Sequence, residues 1–126
     1  MAPAGSTPYD VVGLGLNSID LLAVVAEYPS PNTKQRVQRF AQLPGGQIAT
    51  AMATCARLGW RARYIGSFGD DELGRLSLES LKIEGVDTSA ARTVSGARNQ
   101  FAVVLVDARS GERTVIWDRH PALTGQ

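Results

Sequence analysis

Asp20 is the first residue of this chain whose type and place could do chemistry. It follows a short apolar run, Tyr9 to Leu16 (YDVVGLGL), which reads as a buried parallel strand. Ligands of α/β folds bind beyond the carboxyl ends of such strands. A carboxylate there can accept hydrogen bonds from two neighbouring hydroxyls of a sugar, since both oxygens accept and neither donates. A turn or a cap is the other use of such an aspartate. Gly45-Gly46 is the second candidate, directly before a helical pattern. Helix N-termini present unpaired N–H groups and a positive dipole end, and two glycines let a ligand approach the main chain. That suits a polar or anionic ligand; a plain tight turn is the alternative. Gln47, in the first helical turn, could add a side-chain amide or lie in solvent.

Other residues carry weaker chemistry. Gly13-x-Gly15 follows a strand, but Ser18 stands where a dinucleotide fingerprint needs its third glycine, and no amphipathic helix follows. Close packing at a strand end explains these glycines better. Asp70-Asp71-Glu72 opens a helix, where the dipole favours acids, so capping is preferred over a metal site. His120 has no partner histidine or cysteine nearby, and no metal ligand set is expected. Cys55 lies on the apolar side of a helix and reads as core. Trp60 and Trp117 read as packing residues. Arg113 and Arg119 flank the last strand, and either could reach a phosphate, a solvated arginine being the default.

These residues need elements to position them. Val37 to Leu43 alternates with period two, a strand of a thin sheet, before Pro44-Gly45-Gly46 interrupts it. Gln47 to Leu58 predicts a helix with Ile48, Ala51, Met52, Cys55 and Leu58 on one side, stopped by Gly59. Arg63 to Phe68 (RYIGSF) predicts a strand. Asp70 then caps a helix packed through Leu73, Leu76, Ser77, Ser80 and Leu81 and ended by Gly85. Gly96 to Val106 and Thr114 to Trp117 predict two strands around the turn Asp107 to Gly111. Alternating strands and helices predict an α/β sandwich. The chain ends soon after a strand and reads as the first part of a larger fold.

Composition narrows the classes. The 126 residues suffice for one domain, and 44% of them are hydrophobic, which argues against global disorder. Thirteen basic and twelve acidic side chains leave +1, which argues against nucleic-acid binding through phosphate neutralisation and against polybasic membrane attachment. One cysteine cannot form an internal disulfide. No apolar run is long enough for a membrane helix, and Met1 to Pro8 (MAPAGSTP), read as a flexible lead-in, has no signal-peptide pattern. A cytoplasmic setting is expected.

Five segments in order carry a resemblance. They are VVGLGLNSID (Val11 to Asp20), PGGQIATAMATCARLG (Pro44 to Gly59), YIGSFGDDELG (Tyr64 to Gly74), LKIEGVDTS (Leu81 to Ser89) and VVLVDARSGERTVIW (Val103 to Trp117). Together they resemble the PfkB/ribokinase family of carbohydrate kinases over about Tyr9 to Leu123, with Asp20 and Glu27-Tyr28-Pro29 similar to a ketohexokinase-like start. The resemblance implies a ribokinase-like fold, a three-layer α/β/α core with a small β-sheet lid. Residues 9–126 would be its N-terminal part, with lid strands at about 22–26, 37–43 and 99–117 and a homodimer contact through the lid.

It also implies sugar contacts from Asp20, Gly45, Gly46 and Gln47; Arg113, from its place beside the last strand, is the candidate for a lid or phosphate contact. Thr50 departs from the family's usual asparagine four residues after the second glycine. Threonine has no amide, so a sugar contact there is weaker or different. The family's later aspartate-threonine-x-glycine-alanine-glycine-aspartate motif, which supplies the catalytic base, is absent from this sequence. ATP and Mg²⁺ are therefore implied for the full-length enzyme, and no catalytic residue is expected in this chain, which alone should be inactive. A non-catalytic sugar-binding or dimerising module, or part of a nucleoside kinase, remains an alternative reading.

Overall fold

The computed structural model describes residues 8–124, so the expected lead-in, apart from Pro8, lies outside the described residues. Eight strands and two α-helices follow one another, with a short 3-10 helix at Pro121–Leu123. β1 (Val11–Leu14) runs parallel to β4 (Ala62–Ile65), and β5 (Ser67–Gly69) runs parallel to β6 (Arg92–Val94). α1 (Gln47–Arg57) lies tight on β1: a Cβ added to Gly13 would come within 2.7 Å of the Ile48 side chain and 2.8 Å of Met52 Sδ. α2 (Glu72–Ile83) packs on β5. Between the helices and these strands sits a core of Ala49, Met52, Ala62, Tyr64, Phe68, Leu81 and Val86.

A second layer is a four-stranded sheet in the order β3-β2-β7-β8. Its strands are β2 (Ser18–Val25), β3 (Arg39–Gly45), β7 (Phe101–Asp107) and β8 (Arg113–Asp118). β2 pairs parallel with β7, while the outer pairs are antiparallel. The hairpin between β7 and β8 is fixed by Asp107, whose carboxylate accepts from the N–H groups of Arg109 (2.8 Å) and Ser110 (3.1 Å). It also accepts from Tyr28 N–H at 3.2 Å, tying the chain after β2 to this hairpin.

Several sequence expectations are corrected. The first strand is parallel but shorter, Val11–Leu14, and only half covered: Val12 is 51% exposed and Leu14 75%. α1 covers one face, and no described element covers the other. RYIGSF is two strands, broken at Gly66, where a Cβ would meet Gly15 O at 2.6 Å. The small-sheet strands begin and end a few residues away from 22–26, 37–43 and 99–117, and β6 was not foreseen. Asp71, not Asp70, caps α2, accepting from Gly74 N–H at 3.0 Å. Asp70 instead accepts from Gly96 N–H at 2.8 Å. Leu58 and Leu76, expected on packed sides, are 71% and 40% exposed.

A buried polar network joins the layers. The Asn17 amide donates to Tyr64 Oη (2.9 Å) and Ser67 O (2.8 Å) and accepts from Ser77 Oγ (2.9 Å). Tyr64 Oη in turn donates to Gly15 O at 2.7 Å. Burial pushes the Tyr64 phenol up, against the opposing effect of the Asn17 hydrogen bond, so it stays a donor. With every group partnered, the network fixes the crossover from β1 to β2; leaving one such group unpaired costs about 1–3 kcal/mol.

Two carboxylates, exposed Asp10 and half-buried Asp87, make the fold sensitive to acid. Hydrogen bonds from the Arg61 side chain and backbone hold Asp10 down at about 2, against its usual 3.8. Those bonds, at 2.8 to 3.2 Å, join the residue before β1 to the residue before β4. Hydrogen bonds from Tyr9, from Ser89 and from Arg63 hold Asp87 well below its usual range. Both folded values are depressed, so the stability they contribute is present above the unfolded value of 3.8 and is lost as pH falls towards about 2. Urea midpoints of the parent and of Asp10→Asn should therefore differ at pH 6, and the gap should narrow steadily between about pH 4 and about pH 2. A gap that stays constant across that range would contradict this assignment.

Candidate functional site

Asp20 lies within β2, not beyond a strand end, because Ser18 already pairs with Gly45 of β3. Its direct neighbours are Leu43 on β3 and Ala102 on β7. Residues paired across a sheet share a face, so Asp20 points to the same side as Gly45. A Cβ added to Gly45 would come within 2.8 Å of Asp20 Oδ2 and 3.0 Å of Oδ1. The carboxylate therefore rests on bare main chain. Its one hydrogen bond among the described residues is a long one, donated by Ser18 Oγ to Oδ1 at 3.4 Å. A half-buried carboxylate with this little internal pairing keeps its lone pairs available for hydroxyl donors.

Gly46 turns the chain from β3 into α1. Its φ of 92° and ψ of 132° suit glycine, and a Cβ there would meet Asn17 Cα and Leu16 O, each at 2.6 Å. No side chain caps the helix. Ala49 N–H goes to Leu16 O (3.1 Å), and Thr50 N–H begins the helical ladder at Gly46 O (2.9 Å). The first turn of α1 thus lies next to Asp20 without a side-chain acceptor, the arrangement in which a helix N-terminus holds a polar ligand.

Gln47 is exposed at the start of α1, and Thr50 is exposed one turn further on. Thr50 and Gly45 line a groove of about 350 Å³ between α1 and α2, with Pro44 and Ala53, bounded by the Arg57–Glu84 ion pair. Asp20, Gly46 and Gln47 border this region without lining the groove. A larger cavity of about 460 Å³ near Asp87 and Arg92 is lined by none of the predicted residues, so the groove is the better candidate. The structure thus brings together Asp20, Gly45, Gly46, Gln47 and Thr50. Arg113 stands apart: it shares the Asp20 face of the sheet but lies four residues from Trp117 along β8, roughly 13 Å by strand rise.

The remaining candidates have structural partners. Gly13 and Gly15 pack against Ile48, which leaves no room for a nucleotide against these glycines. Asp71 accepts from Gly74 and Asn99 N–H groups, and Asp70 from Gly96, so both serve the loop that joins β6 to β7. His120 Nδ1 accepts from Ala122 N–H and caps the 3-10 helix. Cys55 is half-buried against the core. Trp60 and Trp117, expected to pack, are 53% and 60% exposed. Nothing in the sequence singles out Asn17 or Asn99, both buried: their flanking residues, Leu16 and Ser18 for the one and Arg98 and Gln100 for the other, give no local signal of burial.

Comparison with known proteins now bears on this arrangement. Residues 9–124 match the family described as pfkB family carbohydrate kinase. Fructokinase-1 of Oryza sativa subsp. japonica is 35% identical over 112 residues, which is 89% of this chain and 33% of that protein. A fructokinase from Xylella fastidiosa, solved with bound ATP, superposes with a TM-score of 0.69 at 28% identity, covering 86% of this chain and 32% of the other. An Arabidopsis thaliana ribokinase solved with ribose and ATP gives a TM-score of 0.78 at 24% identity, covering 89% of this chain and 36% of the other, a likeness of fold. The architecture is ribokinase-like, and the chain spans about a third of the length of the relatives it matches.

Proposed function

Because the chain belongs to the pfkB family of carbohydrate kinases, we propose that it supplies the sugar-holding side and the closing sheet of an ATP-dependent sugar kinase. The observation that carries this reading is the weakly paired Asp20 carboxylate resting on Gly45 beside the uncapped start of α1. Asp20 accepts from two adjacent sugar hydroxyls, while Gly45 and Gly46 let the sugar approach the main chain. Gln47 and Thr50 border the same space. Asp20 orients the sugar and is not the base. ATP with Mg²⁺, when bound, supplies the phosphoryl group to the sugar hydroxyl.

The residues present do not fit the nucleotide half. Gly13 and Gly15 are packed against α1, and Asp70 and Asp71 are engaged with backbone N–H groups. Residues 8–124 therefore hold and enclose the sugar and do not activate its hydroxyl. Fructose is the first substrate to test, since the curated relatives are named fructokinases. The four-stranded sheet would act as the lid, with Arg113 at its far end. The face opposite Asp20 carries exposed Phe40, Val103 and Ile116, where we place a homodimer contact. A cytoplasmic setting belongs to the same proposal; no helix of the described residues is long and apolar enough to cross a membrane.

Titration calorimetry of the 126-residue chain tests this reading. Saturable heat with D-fructose or D-ribose is expected, with no sugar phosphorylation when ATP and Mg²⁺ are added. A sample with a cooperative thermal transition that binds neither sugar overturns the sugar-site assignment. Turnover at an ordinary kinase rate overturns the division of labour.

A further inference from the structure

Trp117 is an exposed aromatic residue in line with Asp20. Ala102 pairs with Asp20 on one side and with Trp117 on the other, so all three project from the same face of the small sheet. Two strand spacings separate the backbones of Asp20 and Trp117, about 10 Å. Ala102 between them is small, so no bulky side chain of the middle strand separates the carboxylate on one side from the indole on the other. The indole is 60% exposed. The Arg119 guanidinium stands over its ring, 5.4 Å from the centroid, and Arg119 Nε donates to Gln100 Oε1 at 2.7 Å. An exposed tryptophan held by a fixed cation is placed for contact, since its hydrophobic surface is otherwise left in water.

We propose that Trp117 is a specificity-determining residue of the sugar site, an aromatic platform for the C–H face of a ring sugar whose hydroxyls Asp20 holds. This rests on the sugar-site reading above. A cyclic sugar presents hydroxyls at its edge and C–H groups on its face, so a carboxylate and an aromatic ring on one surface recognise its two chemistries together. An open-chain polyol offers the hydroxyls without the flat apolar face. Trp117 thus separates ring sugars from open-chain polyols, and Arg119 acts as its positioning residue.

The test uses the 126-residue chain carrying Trp60→Phe, which leaves Trp117 as the sole tryptophan of the original two. D-fructose and sorbitol are titrated while heat and indole emission are followed. Emission should change with the same midpoint as the heat on fructose addition. Trp117→Ala should weaken fructose roughly tenfold and leave sorbitol unchanged, while Trp117→Phe stays within about threefold of the parent. Unchanged fructose affinity in Trp117→Ala, with binding still lost in Asp20→Ala, overturns the platform alone. No fructose binding by the folded parent removes the sugar-site reading and the platform with it. Because Trp117 is exposed, Trp117→Ala should melt within a few degrees of the parent, and Trp117→Leu, apolar but not aromatic, gives the same calorimetric readout should it not fold.

Discussion

Gly46→Ala is expected to cost about 3 kcal/mol or more of folding stability and to abolish sugar binding together with it. Two effects add. The backbone at φ 92° is a region that an L side chain enters only with strain. The new Cβ would also sit 2.6 Å from Asn17 Cα and Leu16 O, which are backbone atoms and cannot rotate away. Relief requires moving either the start of α1 or the β1–β2 crossover, and the second displaces the Asn17 network. Gly59→Ala provides the control. Its φ is 89°, nearly the same, yet nothing lies within 4 Å of its Cβ position. It should cost only about 1 kcal/mol, the strain alone. Thermal and urea unfolding of both variants measures the difference. Equal losses for the two would show that the packing of Gly46 on Asn17 does not constrain the site.

Asp20→Asn should weaken sugar binding about a hundredfold while leaving the thermal transition within a few degrees of the parent. A hydrogen bond to a charged group is worth about 1.5–3 kcal/mol, and two hydroxyls are held here. The amide keeps one acceptor oxygen but loses the charge and turns its other atom into a donor. The folded chain, by contrast, loses only a 3.4 Å contact with Ser18 Oγ. Large loss of binding with little loss of stability is the pattern of a ligand-holding residue; the reverse pattern would reassign Asp20 to the fold. Gly45→Ala should reproduce the binding loss, because its Cβ would displace the same carboxylate from 2.8 Å away. Calorimetry with D-fructose, beside differential scanning calorimetry of each variant, reads both quantities.

What the sequence by itself determined is local. Helix spacing and Gly59 and Gly85 located α1 and α2 to within a residue or two, because a helix draws its hydrogen bonds from four residues away. The Asp107 to Gly111 turn was legible for the same reason, its carboxylate serving the next few N–H groups. Residue type, spacing and resemblance also point to Asp20, Gly45, Gly46, Gln47 and Thr50 as the candidate site, with no contact between them legible. The tertiary structure alone decided how they meet. Asp20 became a strand residue because β2 finds β7, some eighty positions away, and no local pattern encodes that partner. Asp71 rather than Asp70 caps α2 because the distant loop at Gly96 and Asn99 supplies the N–H groups that divide the two acids. Trp117 stands in line with Asp20 only through the register of β2 on β7 and of β7 on β8. Sheet register, unlike helix period, is a relation between segments remote in sequence, so residues fix their own backbone preferences locally while the faces they share are set by long-range pairing.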